Sequence, residues 1–250
     1  MNKNKIDVIA IDGPAGSGKS ITARLVALKL GFTYLDTGAM YRALTLKALR
    51  KKIDVNSELD ILSLINDTKI ELHVNNGQLR IVLDSEDVTR KIRSREVSRH
   101  VATVATYEGV RNWMVQWQRK IGEKGGVVAE GRDIGTIVFP DARLKIFLIA
   151  SLEQRAKRRQ KDFALEKSID LKKITTEIRK RDYIDRNRAA SPLTKAGDAI
   201  ELDTTDLTIE QQVNFVVKQW IKKIKTKNKI LNKLNKTRFT TVKNSNERSG

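Results

Sequence analysis

The chain has 250 residues, no cysteine and only two histidines, His73 and His100. The lack of cysteine excludes disulfide bonds, cysteine-ligated zinc, iron–sulfur clusters and a cysteine nucleophile. Two histidines are too few for a multi-histidine metal site. No apolar run approaches the length of about 18 residues that a membrane span needs, and the N-terminus lacks the longer apolar segment of a signal peptide. We therefore expect a cytoplasmic protein with no membrane span.

Acidic residues are also scarce relative to basic ones, with 30 Asp and Glu against 49 Lys and Arg, a net charge of +19. Residues 222–250 hold ten lysines and arginines against one acid, Glu247. This polar, single-sign composition predicts a frayed helix end followed by a disordered basic tail. Phe239 is the tail's one aromatic residue, and stacking on bases needs aromatics. A solvated extension is therefore favoured over weak binding to RNA or another polyanion.

Hydrophobic residues make up 40% of the chain, enough for a sizeable core. Their spacing predicts a buried strand over 6–11, a helix over 19–30, a strand over 32–35 and a helix to about residue 51. After an interruption, strands are predicted over 127–129, 144–149 and 199–202, and helices over 151–161, 171–188 and 209–224. Strands that alternate with helices indicate an α/β fold with a parallel sheet.

The interruption has a different pattern. A helix is predicted over 59–65, and two alternating segments, 69–74 and 78–83, flank the turn residues 75–77, which indicates a β-hairpin. Residues 94–123 are predicted to be mostly helical. We interpret 37–105 as an insertion that carries its own small sheet.

The strongest local signal is a glycine-rich loop between the first strand and the first helix. It consists of Gly13, Pro14, Ala15, Gly16, Ser17, Gly18, Lys19 and Ser20, which matches GxxxxGK followed by Ser or Thr. Glycines let successive backbone N–H groups converge on phosphate oxygens, and the helix N-terminus adds partial positive charge. Lys19 can then bridge the β- and γ-phosphates while the Ser20 hydroxyl ligates Mg²⁺. The loop predicts a nucleoside triphosphate site but does not identify what receives the phosphate.

Arginines recur near predicted strand ends and on two later helices. They are Arg42, Arg111 and Arg132, then Arg155, Arg158 and Arg159 on one helix, and Arg181, Arg186 and Arg188 on the next. Ligands of open α/β sheets bind at the carboxyl ends of the strands, so Asp12, Asp36, Glu130 and Asp133 should gather near the loop. Each arginine alone is best read as a surface charge. Together they favour a phosphate-rich cleft, since transfer between two phosphates requires charge neutralisation on both.

Four segments taken together resemble the bacterial cytidylate kinase family over about residues 5–221. They are the glycine-rich loop, Leu35-Asp-Thr-Gly-Ala-Met-Tyr-Arg42, Glu130-Gly-Arg-Asp-Ile-Gly-Thr-Ile-Val-Phe-Pro-Asp-Ala142 and Arg181-Asp-Tyr-Ile-Asp-Arg-Asn-Arg188. The resemblance implies a P-loop nucleoside monophosphate (NMP) kinase fold, with a parallel sheet flanked by helices, a small antiparallel sheet inserted in the NMP-binding region, and a helical lid. It also implies transfer of phosphate from ATP to CMP or dCMP with Mg²⁺, by a monomer.

The implied domains divide the chain into four parts. The core would comprise 1–36, 106–150 and 189–221, the NMP-binding insertion 37–105, the lid with its flanking helices 151–188, and the basic tail 222–250.

The resemblance also implies roles for individual residues. The ATP phosphates would be held by Gly13, Pro14, Ala15, Gly16, Ser17, Gly18, Lys19, Ser20 and the backbone N–H of Ile21, with Mg²⁺ at Ser20. The CMP side would be held by Thr37, Arg42, Arg111, Asp133 and Asp185, with Arg42 on the phosphate, Arg111 and Asp133 on the cytosine or ribose, and Asp185 on the sugar. The catalytic set would be Lys19, Arg132, Arg158, Arg181 and Arg188, with Arg158 as the lid arginine over ATP.

Three positions depart from the family pattern. Ala102 stands where some members have a serine that contacts the base, Ile21 stands where the family often has Thr, and Glu130 stands where some members have Asp. Two other functions stay open at this point. One is a P-loop kinase with another acceptor, UMP or AMP, and the other is an RNA-associated P-loop NTPase that uses the basic tail.

Overall fold

The computed structural model describes residues 6–75, 78–162 and 170–226. Its main sheet has five parallel strands in the order β2-β6-β1-β7-β8, which confirms the predicted α/β fold. The strands are β1 (Ile6–Asp12), β2 (Thr33–Asp36), β6 (Val127–Gly131), β7 (Ala142–Ile149) and β8 (Ile200–Asp203). The central position of β1 places the loop that follows it in the middle of the carboxyl edge of the sheet.

Helices cover both faces of this sheet. They are α1 (Lys19–Leu30), α2 (Thr37–Arg50), α3 (Glu58–Ser63), α4 (Arg95–Val104), α5 (Glu108–Gly122), α6 (Leu152–Asp162) and α7 (Leu171–Asn187), with a last helix, α8, described over 209–226. Strand β1 is buried on both faces because its residues alternate between two cores. Val8 and Ala10 pack with α2 and α5, whereas Ile9 and Ile11 pack with α1 and α8.

The inserted small sheet is also confirmed. Strands β3 (Ile70–Asn75), β4 (Gln78–Leu83) and a two-residue β5 (Glu86–Asp87) form an antiparallel sheet in that order. The alternation within 70–75 and 78–83 was readable from the sequence, but β5 was not, because two residues show no periodicity. Ile70 and Ile81 are fully buried in the same core as Val8. The insertion therefore packs against the main sheet through a shared core.

The segment predicted to be mostly helical, 94–123, forms two helices with a short break between them. Ser94 caps α4, its hydroxyl accepting a hydrogen bond from the Val97 N–H (3.3 Å), and α4 ends at Val104 before α5 begins at Glu108. Between them, the Ala105 carbonyl accepts hydrogen bonds from Arg111 and Arg188. A continuous helix would bond this carbonyl internally, so the break is what makes it available to the two arginines.

A π-helix over Ile134–Val138 was not predicted. It directly follows Arg132 and Asp133, and π-helical turns occur mostly near functional sites.

The predicted basic tail begins inside α8, which continues to residue 226. Residues 227–250, and 163–169 of the predicted lid, lie outside the described residues, so the tail and the four-part domain division stay predictions. Among the helices over the described ranges, none combines the length and apolar character that crossing a membrane requires.

Candidate active site

The glycine-rich loop connects β1 to α1. Gly16 and Gly18 have φ angles of 77° and 91°, in the left-handed region, and a Cβ on Gly18 would lie 2.9 Å from Oε1 of Gln212. A Cβ on Gly13 would lie 2.1 Å from the Leu148 carbonyl oxygen. Glycine is therefore required at these positions, because another residue would strain the backbone or clash with neighbouring atoms. Gly18 caps α1 without a side-chain hydrogen bond, which leaves the first-turn amides of α1 to a ligand.

Lys19 is buried beneath this loop. Its Nζ donates to the Pro14 carbonyl at 2.6 Å, so the side chain folds back along the loop. Burial and, after it, the Arg132 charge lower the pKa of Lys19 to about 7, against the opposing effect of Glu130. A bound polyphosphate would raise this pKa again, because a nearby anion favours the charged amine. The loop is thus built to take up anionic charge at the Lys19 ammonium.

Ser20 and Glu130 form an oxygen pair next to Lys19. The Ser20 hydroxyl donates to Oε1 of Glu130 at 2.6 Å, and the Glu130 backbone carbonyl accepts from the Thr37 hydroxyl at 2.7 Å. Hydroxyl and carboxylate oxygens are the hard donors that Mg²⁺ uses together with substrate phosphates and water. No group of three potential metal-ligating side chains occurs in the part of the chain that the structure describes. Ser20 and Glu130 alone are too few to hold a metal ion. They fit Mg²⁺ that is bound mainly by the phosphates of a nucleotide.

Arg132 and Arg181, both partly exposed, and the buried Asp185 form a triad close to Lys19. Arg132 Nε donates to Asp185 Oδ2 at 2.7 Å, and Arg181 Nε lies 3.9 Å from the same oxygen. One carboxylate thus faces two guanidinium groups. Burial and the Arg132 charge lower the pKa of Arg181 to about 10. The triad has an excess of positive charge that a phosphate group would neutralise.

Arg111, Arg188 and Asp133 form a second buried group. The Arg111 guanidinium bonds the Asp133 carboxylate directly, and Arg188 Nη2 lies 3.8 Å from Asp133 Oδ1. Both arginines also donate to the Ala105 carbonyl, at 3.2 and 3.4 Å. The Arg111 guanidinium lies over the Tyr41 ring, 5.7 Å from its centroid. These contacts fix the Asp133 carboxylate from several sides.

Arg42 meets a residue that sequence reasoning missed. Its Nη1 donates to the Ser98 hydroxyl at 2.9 Å and to the Ile92 carbonyl at 3.2 Å. Arg159 Nη2 donates to the same Ser98 hydroxyl at 3.2 Å. Burial lowers the pKa of Arg42, followed by the charges of Arg181 and Arg159. Arg42, Arg159 and Arg181 are therefore close enough to repel one another.

Arg158, the predicted lid arginine, has different partners. It donates to the Thr204 hydroxyl at 3.0 Å and to the Gly16 carbonyl at 3.5 Å. Arg155 also contacts the loop, donating to the Ala15 carbonyl at 3.2 Å and to Asp182 at 2.6 Å. Of the three arginines on α6, only Arg159 hydrogen-bonds beside Arg42. The sequence identified the helix, but which arginine points where depends on how α6 is rotated against its neighbours.

Asp12 was expected to lie near the loop, but no role was predicted for it. Its Oδ1 accepts from the Ile134 N–H at 2.8 Å and its Oδ2 from the Gly135 N–H at 2.7 Å. Burial raises its pKa to about 7 against these two bonds. The carboxylate anchors the start of the π-helix and so the segment just before it, which carries Asp133.

The other strand-end carboxylates also lie where the sheet predicts. Asp36 caps α2, accepting from the Ala39 N–H at 2.9 Å, and its pKa rises to about 6 through burial and the nearby Glu130 charge. Ala102 is buried on α4 and offers only a methyl group at the departing position.

Comparison with known proteins gives one consistent result. The family model described as cytidylate kinase matches residues 9–223. A cytidylate kinase of Desulforamulus reducens is 48% identical over 216 residues, covering 86% of this chain and 96% of that protein. A cytidylate kinase of Pediococcus pentosaceus is 46% identical over 211 residues, covering 84% and 93%. A bifunctional pantoate ligase/cytidylate kinase of Prochlorococcus marinus is 49% identical over 220 residues, 87% of this chain but 43% of that longer protein.

Proposed function

The chain belongs to the cytidylate kinase family, and we propose that it transfers the γ-phosphate of ATP to CMP or dCMP, giving ADP and CDP or dCDP. The observation that carries this function is the buried guanidinium cleft beside the phosphate loop. Arg132 lowers the pKa of both Lys19 and Arg181, and Arg181 lowers that of Arg42. Phosphoryl transfer needs positioning and neutralisation of charge on both phosphates more than covalent chemistry by the protein.

The acceptor base has a candidate reader in Asp133. Cytosine has an exocyclic amino group that donates a hydrogen bond, whereas uracil has a carbonyl oxygen at the same place. A carboxylate held by Arg111 and Arg188 accepts from cytosine and repels uracil. Asp185, which is paired with Arg132, would accept a hydrogen bond from a sugar hydroxyl. This assignment favours CMP and dCMP over UMP.

The donor side uses the loop, Lys19 and Ser20 for the ATP phosphates. Ser20 and Glu130 would hold Mg²⁺, which supplies neutralisation of phosphate charge when bound. Arg158 would contact ATP from α6, as part of a lid over 151–188. Thr37, whose hydroxyl donates to the Glu130 carbonyl, would contact CMP.

We also propose that the enzyme is a cytoplasmic monomer with a solvated basic tail, weak polyanion binding by that tail being the less favoured alternative. ATP and CMP are cytoplasmic metabolites, which supports the location. Sedimentation at micromolar concentration, with and without nucleotides, tests the monomer.

The function is tested by ADP release with ATP and Mg²⁺ against a panel of CMP, dCMP, UMP, AMP and GMP. CMP and dCMP should support turnover well above the other acceptors. Lys19→Ala should lose about 100-fold or more in kcat, comparable to the loss of one preorganised transition-state donor. Lys29→Ala removes an exposed lysine from the same helix, bonded to Asn214, and should keep its turnover.

Other outcomes separate the alternatives. Preference for UMP or AMP would leave the phosphate-loop assignment intact and show that the roles given to Arg111 and Asp133 are wrong. ATP hydrolysis that RNA stimulates, with no monophosphate phosphorylated, would overturn the kinase function in favour of an RNA-associated NTPase.

A further inference from the structure

The Ser98 hydroxyl lies where three helices meet. Ser98 is on α4, and its oxygen accepts from Arg42 of α2 at 2.9 Å and from Arg159 of α6 at 3.2 Å. These helices belong to different parts of the site, since α2 carries acceptor-side residues and α6 belongs to the predicted lid. One small side chain thus joins an acceptor-side arginine to a lid arginine.

The chemistry of this junction is unusual. A hydroxyl oxygen has two lone pairs, and the two guanidinium groups occupy both. The hydroxyl is neutral, so it aligns two positive charges without neutralising them. Among the charges that shift the pKa of Arg42, Asp36 acts in the opposite direction to the arginines, but it also caps α2 and lies 3.6 Å from Arg93. Two guanidinium groups held side by side around a neutral oxygen form a site that an anion with several oxygens would complete.

We propose that Ser98 is a positioning residue that holds Arg42 and Arg159 together as a two-arginine pocket for the acceptor phosphate. The inference rests on the proposed function and adds Arg159 and Ser98 to the acceptor side. Ser98 acts through the two arginines. Arg158 is bonded to Thr204 and the Gly16 carbonyl, so the two neighbouring arginines of α6 serve different substrates, Arg158 the donor and Arg159 the acceptor.

A second contact supports α4 as the connecting element. Arg95 Nη2 lies 3.3 Å from Glu177 Oε1 on α7. Helix α4 therefore contacts α2, α6 and α7 through polar side chains within its first turn and a half. Its position decides how the arginines of the acceptor side and of the lid are spaced.

The test compares three variants on one helix. Ser98→Ala removes the shared acceptor, Ser98→Thr keeps a hydroxyl, and Ser94→Ala removes the N-cap of α4 without touching either arginine. We expect Ser98→Ala to raise the KM for CMP about 10-fold, since a hydrogen bond to a charged group is worth about that factor or more. The KM for ATP should stay within about two-fold. Ser98→Thr should restore most of the loss, and Ser94→Ala should lower Tm and leave both KM values unchanged.

A double-mutant cycle tests the pairing itself. If Ser98 acts by orienting Arg159, Arg159→Ala should add little to the Ser98→Ala loss in kcat/KM for CMP. The losses in kcat/KM caused by Arg158→Ala and Ser98→Ala should instead multiply, because Arg158 donates to Thr204 and the Gly16 carbonyl rather than to Ser98, and independent changes are additive in free energy.

The inference is overturned if Ser94→Ala and Ser98→Ala raise the KM for CMP equally, which would show an effect of helix stability, or if Arg159→Ala and Ser98→Ala multiply independently. The proposed function is checked separately by the wild type. An inactive wild type on CMP overturns both, whereas an active wild type with an unaffected Ser98→Ala variant overturns only the positioning role.

Discussion

Lys19 and Arg181 are cations placed where the folded protein disfavours charge until an anion binds. Burial and the charge of Arg132 lower the pKa of Lys19 to about 7 and that of Arg181 to about 10. The carboxylates nearby, Glu130 and Asp185, offset this only in part. The same residues that define the phosphate site thus cost folding stability in the absence of ligand, a trade-off typical of functional sites.

This cost predicts a pH dependence of stability. Unfolded Lys19 keeps its proton up to a pH of about 10.5, whereas folded Lys19 loses it above about 7. Between these values folding releases a proton, so raising the pH favours the folded state. The Tm of the wild type should therefore rise relative to that of Lys19→Met from pH 7 to pH 10, measured by thermal unfolding without nucleotide.

Lys29→Met controls for the loss of one positive charge from α1. Saturating ATP and Mg²⁺ should flatten the wild-type profile, because the bound polyphosphate holds the Lys19 proton. A Tm difference between wild type and Lys19→Met that stays constant across this range would contradict the buried, deprotonating amine.

At the scale of elements, the π-helix links the site to the core. It begins at the Asp12 carboxylate, just after Arg132 and Asp133, and ends before Phe139. Phe139 is buried against Gly122, the last residue of α5. The position of the Asp133 carboxylate therefore depends on how tightly α5 approaches this segment.

Gly122→Ala tests that approach. A Cβ at position 122 would lie 2.4 and 2.5 Å from two Phe139 ring atoms, and overpacking a core typically costs about 1–3 kcal/mol. Alanine gains at most about 1 kcal/mol over glycine in helix propensity, so steric strain outweighs it. We expect the free energy of unfolding to fall by about 1–2 kcal/mol in urea denaturation.

The compensating variant is Phe139→Leu, which removes the ring. Combined with Gly122→Ala, it should lose less stability than the sum of the two single changes, because the clash is gone. Full additivity would show that Gly122 is needed for a reason other than the ring.

At the scale of the whole molecule, the insertion and the main sheet share one core while α8 covers the opposite face of the sheet. Trp220 of α8 packs edge-on against Phe32, with ring centroids 5.3 Å apart, and Ile224 packs on the same core cluster. The packed part of α8 therefore extends at least to Ile224, the last residue of the helix predicted from the sequence.

Two truncations test the boundary between this packed helix and the basic tail. Ending the chain after residue 226 should leave Tm and CMP turnover unchanged and weaken retention on heparin, because the removed residues hold seven lysines and arginines against one acid. Ending it after residue 221 also removes Ile224 and should lower Tm by several degrees. If the chain ending after residue 226 lost CMP turnover, the tail would be part of the catalytic unit and the proposed boundary would be wrong.

The sequence by itself determined the features that depend on near neighbours in the chain. The glycines at 13, 16 and 18, the helix that starts at Lys19 and the alternating segments of the hairpin were all readable, because turn geometry and hydrophobic period are set within a few residues. The gathering of strand-end carboxylates was also predictable, since parallel strands end at one edge of a sheet.

The tertiary structure alone decided which distant side chains meet. Asp12 bonds the N–H groups of Ile134 and Gly135, and Ser98 pairs Arg42 with Arg159 rather than with Arg158. Adjacent arginines on α6 point about 100° apart around the helix axis, and packing of the helix, with Ala156 buried against α7, sets which one enters the cleft. That rotation is a property of the assembled helices, so no local pattern in the chain could reveal it.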